Sequence, residues 1–148
     1  MAPAEFKPFR ARKVRVLCFT LAPIVVLAYL ALSIALTVIE WKSWHGYDIV
    51  WMNLLGLLFG FVVWRVGSIE ARPSPDGLTV RNIFSTQFYE WNQIIDAHLP
   101  LSSSWAVLDL NDGTTTSVMA IQHSDAGRAR SEINRLRTLI ETNTKGEQ

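Results

Sequence analysis

The chain has 148 residues, of which 18% are charged and 49% hydrophobic, and its formal net charge is +1. That balance hides a split: residues 1–15 carry five Lys or Arg against Glu5, whereas from residue 67 onward seven basic residues face ten acidic ones, a net charge of −3. An acidic soluble part argues against nucleic-acid binding. The single cysteine, Cys18, excludes an intramolecular disulfide and a cysteine-based metal site.

Two uncharged apolar segments lie near the N-terminus, at residues 16–39 and 49–64. Lipid hydrocarbon is roughly 30 Å thick and a helix rises about 1.5 Å per residue, so the first segment spans it with margin and the second needs to extend to residue 66. The first segment is too long for a signal-peptide core and lacks a convincing cleavage site, so we interpret it as a retained anchor. The sequence therefore predicts a transmembrane hairpin at 16–66, with helices at about 16–39 and 49–66.

The distribution of basic residues predicts the orientation of this hairpin. Five basic residues precede the first helix, and Arg65 and Arg72 follow the second, whereas the connecting loop holds only Lys42. Cytoplasmic flanks of membrane helices carry the excess of Lys and Arg. We therefore expect a two-span protein of the cell membrane with both termini in the cytoplasm, and a basic cytoplasmic segment at 1–15.

The second apolar segment contains two glycines four residues apart, Gly56 and Gly60, with Asn53 one turn earlier on roughly the same face. Such a pair allows another helix backbone to approach closely, and an amide in lipid requires a hydrogen-bond partner. These helix-packing residues are expected to contact either another membrane protein or small residues of the first helix, such as Ala28 and Ala31. The sequence leaves the two alternatives equally open.

After residue 67 the periodicity changes to short alternating segments, which predict six strands. These lie at residues 68–72, 78–83, 87–91, 93–99, 104–110 and 114–121. Pro75-Asp76-Gly77 and Asn111-Asp112-Gly113 are turn sequences between strands. From Ser124, a plausible N-cap, apolar residues recur every three or four positions and predict an amphipathic helix. Its expected core face consists of Ala126, Ala129, Ile133, Leu136 and Ile140.

The stretches Asp76–Asn82, Trp91–Ile94 and Asn111–Gly113 resemble those of small actinobacterial membrane proteins that carry two N-terminal membrane helices and a bacterial PH-like domain. The resemblance implies an α+β PH-like domain at residues 67–142, with a polar tail at 143–148. Its bent antiparallel sheet, or partial barrel, would be capped by the C-terminal helix. A full PH fold has seven strands and only six are predicted here, so we expect the first strand to be missing or merged with the membrane exit.

Catalytic and cofactor chemistry has little support in the sequence. His45, His98 and His123 lack a second histidine or a cysteine at ligand spacing, which predicts no metal site. Ser102–Ser104 follows Asp96 and His98, but no strained elbow or oxyanion loop surrounds it. There is also no glycine-rich phosphate loop. We expect a protein that is not an enzyme and needs no cofactor.

By elimination, the sequence favours a non-catalytic, membrane-anchored interaction module, an accessory or assembly subunit of a larger membrane complex. Its expected partners are the lipid bilayer and other integral membrane proteins, and no nucleic acid. The alternative is a cytoplasmic-face sensor of lipid headgroups that uses the basic residues of the last helix: Arg128, Arg130, Arg135 and Arg137. We favour the view that this helix face is simply solvated and paired with neighbouring glutamates.

Overall fold

The computed structural model describes residues 6–40 and 44–145. The chain divides into two compact units: a helical hairpin, Arg12–Gly67, and a unit that combines Met1–Ala11 with Ser68–Gln148. The second unit differs from the expected domain at 67–142, because it also includes the segment that precedes the hairpin. In chain order, the hairpin is an insertion within this unit.

The hairpin consists of α1 (Arg12–Val38) and α2 (Gly46–Gly67), both long and apolar enough to cross a membrane. α1 continues through Pro23 and begins before the expected residue 16, because Arg and Lys are good helix formers. Only 11% of the apolar window of each helix is buried. The core helix of a soluble protein would bury most of such a window, so this exposure is consistent with a membrane location of the two helices.

The other unit contains two three-stranded antiparallel sheets followed by one helix. In the first sheet, β1, β2 and β3 are neighbours in that order: Glu70–Ser74, Gly77–Arg81 and Thr86–Glu90. In the second sheet, β4, β5 and β6 are also neighbours in chain order; they comprise Ile94–His98, Trp105–Leu110 and Thr115–Gln122. The final helix is α3, Ala126–Lys145. Among the described residues the two sheets do not close into a barrel.

The core of this unit lies where α3 packs on the sheets. Leu136 and Leu108 are completely buried, and Trp91, in a short turn before β4, donates its indole N–H to the carbonyl of Ser74 at 2.9 Å. Of the predicted helix face, Ala129, Ile133, Leu136 and Ile140 are buried and Leu139 adds to it, while the side chain of Ala126 lies outside the described part of the chain. Ser124 does not cap α3, since its hydroxyl bonds the Gln122 side chain at 3.3 Å and a 3-10 turn precedes the helix.

The turn at Asn111–Gly113 joins β5 to β6 as expected. Gly113 has a φ of 80°, which favours glycine. Asp112 accepts hydrogen bonds from the Thr114 hydroxyl at 2.6 Å and from its backbone N–H at 2.9 Å. These bonds, the hydroxyl first, lower the pKa of the Asp112 carboxyl.

The segment before the hairpin occupies the free edge of β1. Phe9 donates its backbone N–H to the carbonyl of Ala71 at 2.8 Å, and Ala71 donates to the carbonyl of Phe9 at 3.1 Å. This reciprocal antiparallel pair places a seventh extended segment beside the first sheet. The sequence predicts a first strand that is missing or merged with the membrane exit; instead, an isolated bridge at residue 9, ahead of α1, pairs with β1.

Side chains reinforce this attachment. Phe9 is completely buried, and the Arg135 guanidinium of α3 lies 3.9 Å from the centre of its ring. Glu70, only 5% exposed, receives Arg10 at 2.9 Å and Arg72 at 2.7 Å. A buried carboxylate is costly without partners, so the ion pair of Arg10 contributes to the stability of this unit.

Replacing Phe9 with Ala should destabilise the unit by about 3–5 kcal/mol, because it removes a buried aromatic ring and leaves a cavity. Urea unfolding of the full chain in detergent, followed by near-ultraviolet circular dichroism, measures this loss. Lys7→Ala is the matched control, since Lys7 is exposed two residues away. Equal stability of the two variants would contradict the attachment of this segment.

Candidate functional site

The sheet-containing unit has a groove of about 720 Å³ between the end of β4, the β4–β5 connection and the first turns of α3. Its lining combines basic and apolar side chains: His98, Leu101, His123, Arg130, Ile133 and Arg137. A volume of this size lies within the usual range for small-molecule sites. We call this cavity the β4–α3 groove.

His123 shapes the groove through two hydrogen bonds. His123 places Nε2 at 3.0 Å from the carbonyl of Pro100, a distance at which the ring N–H donates. Its backbone N–H also donates to the carbonyl of Ser104 at 3.0 Å. These two bonds hold the β4–β5 connection against the end of β6, so the groove has a fixed wall.

The four arginines of α3 do not form one basic surface. Arg128 and Arg135 both pair with Glu132, at 3.7 Å and 2.7 Å. Arg137 donates to the carbonyl of Ala97 at 2.6 Å and lies 3.4 Å from Asp96. Arg130 lines the groove.

Arg130 is exposed and has no ion-pair or hydrogen-bond partner among the residues that the structure describes. The predicted set of four therefore separates into two pairs. Arg130 and Arg137 belong to the groove, and Arg128 and Arg135 are engaged elsewhere.

Asp96, His98 and Asp109 form a cluster whose potential ligand atoms lie within 4.8 Å of one another. The sequence did not bring these residues together, because Asp96 and Asp109 meet only through the pairing of β4 with β5. His98 lies 3.2 Å from Asp109, and Arg137 lies beside Asp96. The carboxylates are partly exposed and already have these contacts, which by themselves account for the proximity of the three side chains.

The serines of the β4–β5 connection have a structural role. Ser103 donates its hydroxyl to the carbonyl of Trp105 at 2.9 Å, a local bond that shapes the loop before β5. Because the Ser103 hydroxyl already donates this hydrogen bond, its geometry gives no support for a role as a nucleophile. Within the described part of the chain, no base lies in hydrogen-bond contact with this hydroxyl.

In the hairpin, the glycine face of α2 packs against α1. A Cβ atom added at Gly56 would lie 2.6 Å from Cβ of Tyr29, and one at Gly60 would lie 2.4 Å from a methyl of Val26. Asn53 donates its amide to the hydroxyl of Ser33 at 3.0 Å. Of the two alternatives that the sequence left open, this geometry corresponds to packing within the hairpin, although the contacts are with Tyr29 and Val26 and not with alanines.

The bacterial PH domain family has a sequence profile that matches residues 72–139, which extends from β1 into α3. Two three-stranded sheets and a C-terminal helix agree with that match. The soluble unit is a PH-like domain. Two apolar helices precede most of it, as the resemblance implied.

Uncharacterized proteins of Mycobacterium tuberculosis and Mycobacterium bovis are 34% identical to this chain over 93 residues. The match covers 63% of this chain and 60% of theirs, so the chain spans less than two thirds of the length of these relatives. No solved structure matches the chain significantly. The predicted likeness to actinobacterial proteins with a PH-like domain is therefore supported, and the names of these relatives state no activity.

Gly60→Ala should separate the two helices of the hairpin, because the added methyl overlaps Val26. Spin labels at the exposed positions Leu30 and Leu57 measure the helix-to-helix distance in detergent. We expect a longer and broader distance distribution. Gly46→Ala is the control, since nothing lies within 4 Å of its added Cβ. An unchanged distribution in Gly60→Ala would mean that α2 does not pack on α1 through this face.

Proposed function

We propose that the protein is a non-catalytic interaction module held at the membrane, serving as an accessory or assembly subunit of a larger membrane protein complex. The PH-like fold supports this proposal, because such domains are typically interaction modules. The observation that carries it is the pair formed by Phe9 and Ala71, which makes the apolar hairpin an insertion within the PH-like domain.

This insertion bears on membrane topology. The chain leaves the PH-like domain at Ala11 and returns to it at Ser68. A domain that folds from both segments requires them on the same side of the membrane, so α1 and α2 must cross as a pair. The basic residues that precede α1 favour the cytoplasm for that side. We therefore propose two spans, with the PH-like domain and both termini in the cytoplasm.

The PH-like domain is joined to each helix of the hairpin without a long linker. Residue 11 belongs to the domain and Arg12 begins α1, while α2 ends at Gly67 and Ser68 is again part of the domain. Such confinement gives the domain a high effective concentration for other proteins of the same membrane. A low intrinsic affinity is then sufficient for stable association, which suits an accessory subunit.

The alternative, a headgroup sensor that uses the whole arginine face of α3, is less well supported. Glu132 neutralises part of the charge of Arg128 and Arg135, and Arg135 also covers Phe9. The connection between β1 and β2 contains Asp76 and no basic residue, so it offers no phosphate-binding cluster. Headgroup contacts across the whole face would have to break these ion pairs.

Single cysteines introduced into a Cys18→Ala background test the topology. A membrane-impermeant maleimide applied to intact cells should label His45→Cys in the α1–α2 connection. It should label Lys7→Cys and Leu101→Cys only after the cells are opened. All three native side chains are exposed. Labelling of either Lys7→Cys or Leu101→Cys in intact cells would contradict the proposal.

Purification in mild detergent tests the accessory role. We expect a defined integral membrane protein to co-purify in a constant ratio and to be lost with Leu136→Asp, which places a charge at a completely buried site. Thr138→Asp adds the same charge at an exposed position and should retain the partner. Purification of the chain with lipid alone, or equal partner recovery with both variants, would count against the proposal.

A further inference from the structure

We propose that two copies of this chain associate through β3, by pairing their Thr86–Glu90 strands antiparallel across a two-fold axis. The first sheets of the two copies would then form one continuous six-stranded sheet. This inference goes beyond the accessory role, because it names a second copy of the chain as a partner. It does not depend on which larger complex the protein joins.

Three of the four sheet edges are occupied by other parts of the chain. The backbone of Phe9 pairs with β1, and Arg137 donates to a backbone carbonyl of β4 at 2.6 Å. At β6, the Asn82 amide donates to the carbonyl of Ser117 at 2.7 Å and accepts the N–H of Met119 at 3.2 Å. The remaining edge is that of β3, and no other backbone segment among the described residues pairs with it.

The outer edge of β3 presents backbone groups that lack a partner. In the turn before β3, Asn82 donates its N–H to the carbonyl of Ser85 at 2.8 Å. Because bonded and non-bonded positions alternate along an antiparallel pair, every second residue of β3 directs its N–H and C=O away from β2. These residues are Thr86, Phe88 and Glu90. Within the described part of the chain, no hydrogen bond reaches the backbone of Thr86 or Phe88 on that side.

β3 also lacks the devices that keep an exposed edge from pairing with another strand. It contains no Pro, Lys or Arg, and its register with β2 shows no bulge. Phe88 is 51% exposed, and Thr86, Phe88 and Tyr89 belong to residue types enriched in strands. At the end of β3, the N–H of Glu90 donates to the side-chain oxygen of Gln93 at 3.0 Å. The open backbone donors are therefore those of Thr86 and Phe88.

The sequence of β3 is complementary to itself. A two-fold axis at Phe88 places the two copies of this residue side by side, so that their backbones exchange both hydrogen bonds. The same register places each Thr86 opposite Glu90 of the second copy, where the open N–H of Thr86 meets the carbonyl of Glu90. A register centred on Glu90 would instead oppose two carboxylates. The two-fold register at Phe88 therefore satisfies the open groups without opposing like charges.

Charge on the outer face of the sheet favours the same pairing. Arg81 and Glu90 have no ion pair among the residues that the structure describes. Arg81 is in register with Thr86, so in the dimer it lies on the same face as Glu90 of the second copy. The two backbones are two strand spacings apart, about 10 Å, a distance that these long side chains can bridge. Each dimer contains two such contacts, which a pairing with an unrelated strand would not provide.

Sedimentation equilibrium of the full chain in density-matched detergent tests the proposal. We expect a reversible equilibrium between monomer and dimer. Phe88→Lys should raise the dissociation constant at least about tenfold, because it removes an aromatic pair and opposes two cations on a strand edge. Ile95→Lys is the matched control: Ile95 is 65% exposed on β4, the edge covered by α3, and its replacement should change the constant by less than about twofold.

Opposite charges at Thr86 test the register. Thr86→Glu opposes a carboxylate to Glu90 of the second copy and should weaken the dimer by about threefold to tenfold. Within its own chain the new carboxylate lies beside Arg81, so we do not expect it to destabilise the fold. Thr86→Lys should instead lower the dissociation constant. Equal constants for the two variants would contradict the register.

Amide hydrogen exchange measured by nuclear magnetic resonance reports on the pairing itself. The amides of Thr86 and Phe88 should exchange slowly at dimeric concentrations and rapidly in the monomer, because the second copy supplies their acceptors. The amides of Gln87 and Tyr89 bond to β2 and should be protected at both concentrations.

The proposal is overturned if the chain stays monomeric, or if Phe88→Lys and Ile95→Lys weaken the dimer equally, since the dimer would then use another surface. It is also overturned if the Phe88 amide exchanges rapidly in the dimer. Protection of that amide in a monomeric chain by a co-purifying protein would assign β3 to a different partner. None of these outcomes alters the maleimide labelling pattern, so failure here is distinguishable from failure of the proposed membrane topology.

Discussion

Backbone pairing between Phe9 and Ala71 links two parts of the chain that the apolar hairpin separates. The ring of Phe9 enters the core of the PH-like domain, and the carboxylate of Glu70 depends on Arg10 for one of its ion pairs. Phe9 and Arg10 both lie ahead of the hairpin, whereas Ala71 and Glu70 follow it. The domain is therefore discontinuous, and a segment that precedes α1 contributes to its stability.

The two-segment origin of the domain constrains how the hairpin can be arranged. If the hairpin spans a membrane, a domain assembled from both of its flanks requires α1 and α2 to cross as a pair. The chain passes between the two units at residues 11–12 and 67–68. Arg135 has a double role here, because it covers Phe9 and pairs with Glu132. Arg130, also in α3, lines the β4–α3 groove.

Local patterns predicted most of the elements. The uncharged runs located α1 and α2, alternation located the six strands within a few residues, and the spacing of apolar residues located α3. The role of residues 6–11 was not predictable in this way, because a short basic segment shows its charge locally while its strand partner lies about sixty residues away. Among groove residues, Arg130 and Arg137 were in the predicted arginine set. His98 and His123 were considered as metal ligands, and His98 also beside the serines at Ser102–Ser104. Leu101, in a loop without periodicity, gave no signal.

Amide hydrogen exchange of the full chain in nanodiscs tests the central claim most directly. If residue 9 belongs to the PH-like domain, the amides of Phe9 and Ala71 will exchange as slowly as those of the central strand β2, because all of them open only when the domain opens. The exposed Lys7 serves as the comparison within the same segment. Exchange of the Phe9 amide at the rate of an unstructured peptide, while β2 stays protected, would contradict the account.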